Sequence, residues 1–309
     1  MAGTHRRLNI RFRHVIAMGQ ISPKEWVSPR TVEEATKLLR EKRARAVAGG
    51  TGFYELAKRS MLPEVDVLVD LQSLNLEYLK VENGVMKIGA GSRFSFLLQQ
   101  EALGRKDLAG LKEAISNVKP VQVRNAATAG GAVSISIPFL DFPPAVLGFD
   151  GKVVLAGPDG KQRVTPVSSF WLDYLLPDIR KGELLTEIQI PLSDKNTTSA
   201  FTKLGRTAGD FALVNVCART TFDKDGKCTA ASVALGGVAN TPMKQPKVEG
   251  ALLGQRLNKE VIAKSVEALN ELNPTASVHG SPWYKREIAK VLVRDALLAC
   301  LERAGFAAG

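Results

Sequence analysis

Two short glycine-rich segments hold the residues whose types and spacing suit chemistry: Ala48-Gly49-Gly50-Thr51-Gly52 and Thr128-Ala129-Gly130-Gly131-Ala132. Glycine lets main-chain N–H groups approach and point at phosphate oxygens, and a helix beginning at the loop adds favourable partial charge. Either segment alone reads more simply as a tight turn. Two of them, one in each of the first two structural units, can converge on a single diphosphate from both sides. Neither carries the lysine of a P-loop and no GxGxxG spacing is present, which argues against nucleoside triphosphate chemistry. Other chemistries find little support. The three histidines are His5, His14 and His279, which offer no general base for a triad, so no catalytic residue is assigned. Cys217, Cys228 and Cys300 are widely spaced with no CxxC, so neither a metal site nor an all-cysteine cluster is expected.

The elements that must position these loops follow from pattern. Thr31 precedes a helix in which Val32, Ala35, Leu38 and Leu39 share a face. A short strand around Ala46 leads into the first loop, and a helix runs from Phe53 to about Ser60. The run Asp66–Leu71 then reads as a buried parallel strand. Asn83-Gly84 between alternating runs signals a hairpin, because both central residues of its turn need positive φ. Ser92 or Ser95 is placed to cap the next helix, and another helix covers about 108–117, before the second loop. Gly157-Pro158-Asp159-Gly160 is a further turn between strands, and Glu183–Pro191 reads as the last strand of this unit. Ser193–Ala200 is polar and unpatterned and is taken as a linker. A β-rich hairpin follows, then helices over 259–272 and 282–303, the latter with proline in its first turn. The class is therefore α+β: two α/β units and a C-terminal α+β domain with a small antiparallel sheet and helices. The divisions are 1–20, a basic and disordered arm; 21–75; 76–195; and 200–309.

The chain has 309 residues, 45% hydrophobic and 24% charged, enough for about two or three packed domains. No run reaches the roughly 18 apolar residues of a membrane span. The net charge of +11 is dispersed, and aromatics make up only 6%, which reads against nucleic-acid binding. Arg6, Arg7, Arg11 and Arg13 concentrate charge at the start, but the apolar stretch after them is too short for an export signal. Met18 is an alternative start. Without a disulfide framework, a reducing cytoplasm is the expected setting.

An ordered set of segments now carries a family resemblance: AVAGGTGFYELAKRS, VLVDLQSL, MKIGAGSRFSFL, VRNAATAGGAVS, DFPPAVLGFDGKVVL, GELLTEIQIP, FTKLGRTAGDFALVNVCART and VALGGVANTP. The set resembles the FAD-binding medium subunit of the molybdenum hydroxylases, the xanthine dehydrogenase and aerobic carbon monoxide dehydrogenase group, over about Ile21–Arg303. The resemblance implies a PCMH-type FAD-binding fold. In it the cofactor is clamped between units 21–75 and 76–195 while the C-terminal domain closes over the isoalloxazine. It also implies an oxidoreductase role in electron transfer. Molybdopterin would lie on a large partner subunit and 2Fe-2S clusters on a small one, assembled as a dimer of heterotrimers, with electrons leaving through FAD to an external acceptor. A stand-alone FAD-dependent oxidase or reductase, or a basic non-enzymatic binding protein, are the alternatives.

By the same resemblance, Ala48, Gly49, Gly50, Thr51 and Gly52 bind the diphosphate from one side, and Thr128, Ala129, Gly130, Gly131 and Ala132 from the other. Asp141 either bonds ribityl or ribose hydroxyls or caps the helix beginning near Pro143-Pro144. Lys203, Arg206 and Asp210 either bring cations near the flavin or form a solvated face. Phe211 lies beside the isoalloxazine or in the core. Arg124 and Asn125 either contact cofactor or fix the turn before the second loop. Two departures stand out. Ala132 replaces a common asparagine, removing a side-chain donor, and Gly52 stands where relatives often carry a polar residue. The cysteine count excludes the subgroup with an added four-iron cluster.

Overall fold

A computed structural model of the chain describes residues 23–62, 64–193 and 196–307. The expected N-terminal arm lies outside them. The first unit runs β1 (Glu25–Val27), α1 (Val32–Glu41), β2 (Ala44–Val47), α2 (Thr51–Lys58) and β3 (Val67–Asp70). Thr31 caps α1 as expected, its hydroxyl accepting from Glu34 N–H at 3.1 Å. The three strands are parallel in the order β1-β3-β2, so β2 is an edge strand and delivers the chain to the first glycine loop. Ala35, Val67 and Val69 form its small core, completed by Leu74 and by Leu184 of the next unit. Five apolar side chains make a thin core, so this unit depends on its neighbour for burial.

The middle unit contains β4 (Leu79–Glu82), β5 (Val85–Gly89), α3 (Phe94–Leu98), α4 (Ala109–Asn117), α5 (Val121–Ala126), α6 (Ala129–Ser134) and α7 (Phe142–Gly148). It continues with β6 (Lys152–Ala156), β7 (Gln162–Pro166), β8 (Trp171–Asp173), β9 (Leu176–Pro177) and β10 (Leu184–Pro191). Its five-stranded sheet is antiparallel throughout, ordered β4-β5-β10-β6-β7, so the last strand in sequence is central in space. The β4–β5 turn uses Asn83 at φ 51° and Gly84 at φ 73°, as the Asn-Gly pair predicts. Ser92 does not cap α3. Its hydroxyl is drawn away by the main chain of Tyr78, to which it bonds as donor (2.8 Å) and acceptor (3.0 Å). The main core lies between this sheet and the helices and includes Phe94 and Phe142, in tilted contact at 5.2 Å.

The last unit comprises β11 (Thr197–Leu204), β12 (Val214–Phe222), β13 (Cys228–Gly236), β14 (Met243–Lys244), α8 (Pro246–Leu252), α9 (Lys259–Val266) and α10 (Pro282–Arg303). The sheet is antiparallel in that strand order. The expected linker Ser193–Ala200 is corrected here, because Thr197–Ala200 are the buried first half of β11. Their polarity is misleading, since the hydroxyls bond across element boundaries. Thr198 donates to Cys300 O (2.8 Å), while Ser199 donates to Asp107 O (2.8 Å) and accepts from Gly110 N–H (2.9 Å). Helix α10 covers one face of β11 and β12, and α4 and α7 of the middle unit cover the other. That cover, with α7 and α8 packing on β13, explains why β11, β12 and β13 contain long buried runs without polar alternation.

Candidate nucleotide-binding site

The first loop leaves the end of edge strand β2 and turns into α2 at Gly50, whose φ of 72° and ψ of −10° place it in the left-handed region. Its carbonyl accepts from Tyr54 N–H at 2.8 Å. Among the described residues, the amides of Gly49, Gly50, Thr51, Gly52 and Phe53 meet no acceptor. Such unsatisfied donors at a helix start, aided by the helix dipole, form an anion site. Each glycine has its own steric reason. A Cβ on Gly49 would lie 1.8 Å from Ala126 O, and one on Gly52 would lie 2.4 Å from Ile135 Cδ1, whereas Gly50 faces open space. Gly49 and Gly52 are thus fitted to residues on either side of the second loop, and Gly50 to the turn. The residue that replaces a side chain at position 52 is Ile135.

The second loop differs, which corrects the expectation that both loops donate amides. Ala129 N–H donates to Ser92 O (2.9 Å), Gly130 N–H to Ala90 O (2.8 Å) and Ala132 N–H to Thr128 O (3.0 Å). Gly131 N–H donates to Thr128 Oγ1 at 3.2 Å, the N-cap bond of α6. With these four donors turned inward, the segment is a wall that carries the first loop. Gly130 is required by close packing, since a Cβ there would meet Ala90 Cβ at 2.5 Å. Of the two residues before this loop, Arg124 fixes the turn by donating to Ser116 O and Val118 O. The Asn125 side chain is exposed and makes no hydrogen bond among the described residues.

Between the first two units lies a cavity of about 460 Å³. Ala48, Gly130 and Gly131 line it together with Arg45, Ile135 and Leu175, none of which sequence reasoning singled out. Its volume suits enclosure of a small ligand, for which about 300–1,000 Å³ is usual. Leu175 adopts φ 57° and its N–H donates to the carbonyl of Ser136, itself at φ 54°. Nothing in the sequence marks those conformations. Arg45 is visible as a cation in a strand flanked by alanines, a signal that could have drawn notice.

The remaining predicted residues form a second cluster outside the cavity lining. Buried Asp141 accepts from Lys203 Nζ at 2.7 Å and from Asn215 Nδ2 at 3.1 Å, and it makes no capping bond to α7. Burial pushes the Asp141 carboxyl up, opposed by the Lys203 ammonium and the Asn215 amide. The pair joins the start of α7 to the end of β11, holding the C-terminal unit against the middle one. Arg206 pairs with Asp210 at 3.2 Å on an exposed segment. Phe211 is 43% exposed and packs on Phe139 (5.3 Å between ring centroids), which in turn neighbours Tyr174 at 6.3 Å. Tyr174 sits next to Leu175 in the β8–β9 hairpin, so this hairpin links the aromatic cluster to the cavity.

The free amides, the open left-handed glycine and the adjoining cavity together fit a nucleotide diphosphate and its attached half. No helix among the described residues is long and apolar enough to cross a membrane. Residues 18–193 match the family described as FAD binding domain in molybdopterin dehydrogenase, and residues 199–300 match the CO dehydrogenase flavoprotein C-terminal domain. The chain is 30% identical to the glyceraldehyde dehydrogenase medium chain of Sulfolobus acidocaldarius, across 88% of this chain and 96% of that one. It is 29% identical to the carbon monoxide dehydrogenase medium chain of Afipia carboxidovorans, across 89% and 96%. Its fold superimposes on a chain of carbon monoxide dehydrogenase from Hydrogenophaga pseudoflava with a TM-score of 0.86 at 28% identity, covering 92% of this chain and 99% of that one. Match to the family over more than half the length, together with this geometry, leads to one conclusion: the chain belongs to the FAD-binding medium subunits of the molybdenum hydroxylases, the oxidoreductase family of the carbon monoxide dehydrogenase type.

Proposed function

We propose that this chain is the electron-transferring subunit of a heterotrimeric molybdenum hydroxylase, holding FAD between residues 21–75 and 76–195 with the C-terminal domain closing over the flavin. The observation that carries this reading is the row of five amides, Gly49 to Phe53, that meet no acceptor among the described residues, next to a cavity of about 460 Å³ that Ala48 lines. Those amides hold the diphosphate. Ala48, the segment Thr128–Ala132 and Ile135 exclude water from its flank. FAD, when bound, would supply a two-electron store between a small 2Fe-2S subunit and an external acceptor; the protein supplies binding, orientation and electrostatic tuning. Phe211 and its partner Phe139 give the flavin an apolar edge, and the buried Asp141–Lys203 pair fixes the distance between the units that frame it. Arg206, paired with Asp210, and Asn125 are both exposed.

Substrate oxidation belongs to a large molybdenum subunit. Support comes from the relatives: identity is almost equal to medium chains named for glyceraldehyde and for carbon monoxide dehydrogenases, 30% and 29%. Chains serving such different substrates have little reason to select among them here. A dimer of heterotrimers in a reducing cytoplasm accommodates the three buried free cysteines.

The test is titration of the purified full chain with FAD, followed by absorbance, and co-expression with candidate large and small subunits. Stoichiometric uptake and a three-component complex are the expected results. A folded chain that takes up no FAD refutes the flavin assignment, and substrate turnover by this chain alone refutes the subunit role.

A further inference from the structure

Arg45, in β2, meets no counter-charge among the described residues. Its neighbour two residues earlier, Arg43, is fully engaged, donating to Asp66 at 2.9 and 3.1 Å and to Glu64 at 2.9 Å. Arg45 instead lines the cavity between the first two units, half-buried, and makes no side-chain hydrogen bond or ion pair among the described residues. Its guanidinium is pushed down in pKa by burial alone, with no acid opposing that effect.

The surroundings sharpen the point. Glu183 is the single carboxylate in the described lining, and it is already committed: Arg163 holds both its oxygens, at 3.1 and 2.7 Å, and Arg180 N–H donates to it at 2.9 Å. Most of the other walls are aliphatic, including Leu39, Leu56 and Leu184. A desolvated guanidinium in such a place is costly unless an anion enters with the ligand. The strand carrying Arg45 runs straight into the loop with five free amides, and at about 3.3 Å per residue its Cα lies roughly 13 Å before Gly49. A long side chain on that strand and the amides at its end can therefore serve one extended ligand whose charge lies between them.

We propose that Arg45 is a binding residue for the adenylate half of the dinucleotide, pairing with its phosphate, so that this chain selects a nucleotide ending in ADP over FMN. The inference rests on the FAD reading above. It assigns the first loop and Arg45 to opposite sides of one diphosphate, a division of labour that also answers the inward-turned amides of the second loop. Arg45 is thus a second anchor beside the first loop.

The experiment uses the full chain stripped of flavin and measures FAD, FMN, ADP and adenosine binding by calorimetry. Wild type is expected to bind FAD and ADP with a strong salt dependence. Arg45→Ala should weaken both by about 10- to 100-fold, the usual worth of a charge-assisted hydrogen bond, and leave adenosine unchanged. Arg45→Lys should recover much of the loss at low salt, and Arg45→Met provides a variant of similar length if the alanine form is unstable. ADP binding by either neutral variant within twofold of wild type overturns the inference, as does an equal loss of ADP and adenosine, which assigns Arg45 to the adenine ring. Wild type that binds ADP but no flavin refutes the flavoprotein reading and leaves Arg45 standing. Wild type that binds FAD while ADP fails to compete refutes the role of Arg45 alone.

Discussion

The glycines of the first loop make separable predictions, because each is needed for a different reason. A methyl group at Gly49 would stand 1.8 Å from a main-chain oxygen, Ala126 O, and 2.6 Å from its carbon. Ordinary contact begins near 3.4 Å, so the two loops must part by about 1.5 Å with no side chain able to yield. Overpacking against rigid backbone costs ~3 kcal/mol or more. A methyl at Gly52 clashes with Ile135 Cδ1, at 2.4 Å, the far end of a flexible side chain. Rotation of that side chain should limit the cost to about 1 kcal/mol. At Gly50 the space is open but φ is 72°, so alanine there costs about 1–2 kcal/mol through backbone strain alone. Denaturant unfolding of the three alanine variants, paired with FAD titration, reads both quantities. Gly49→Ala should lose FAD uptake because the loops separate, with Gly52→Ala nearly normal. Adding Ile135→Val to Gly52→Ala should recover part of its stability, a coupling absent when Ile135→Val is combined with Gly50→Ala. Equal stability losses at positions 49 and 52, or FAD uptake by Gly49→Ala within twofold of wild type, would falsify the steric argument.

Two further outcomes are expected. Burial pushes the Cys228 thiol up to about 11 and Cys300 up to about 12, with Cys217 also raised. Since the thiolate is the reactive form, alkylation of the folded chain should be negligible at pH 8 and should reach three thiols only after unfolding; a fast-reacting cysteine in the native protein contradicts the packing. At the interface between α4 and α10, Arg303 donates to both carboxylate oxygens of Glu113 and to Ser199 O. Because these side chains are about one-third exposed, Arg303→Ala should cost only about 1–2 kcal/mol in denaturant unfolding and leave FAD affinity unchanged. A large change in FAD affinity would show that the C-terminal unit reaches the cradle through this contact.

Much of the architecture was legible in local sequence. Thr31 with Glu34 marks the start of α1, Asn83-Gly84 marks the β4–β5 turn, and Pro282 opens a 22-residue helix ending at Arg303. These are short-range effects, in which a cap, a positive φ or a proline acts within a few residues of its own position. Thr197–Ala200 misled for the opposite reason, since their hydroxyls are satisfied by Asp107, Gly110, Thr221 and Cys300, partners far along the chain. The same holds at the site. Both glycine loops were readable as loops, but which one keeps its amides free depends on Ser92 O and Ala90 O reaching the second.

The sequence by itself determined the loops, the helix starts and the family membership that their order reveals. Only the tertiary structure decided that Gly52 is glycine because Ile135 fills its place, that Asp141 is bound to Lys203 and Asn215, and that Arg45 faces a cavity in which, among the described residues, the lining acid Glu183 is already held by Arg163. The physical reason is range. Conformational preferences act within a turn or two of chain, whereas hydrogen-bond satisfaction and close packing depend on groups brought together from distant positions, as Gly49 meets Ala126 and Lys203 meets Asp141.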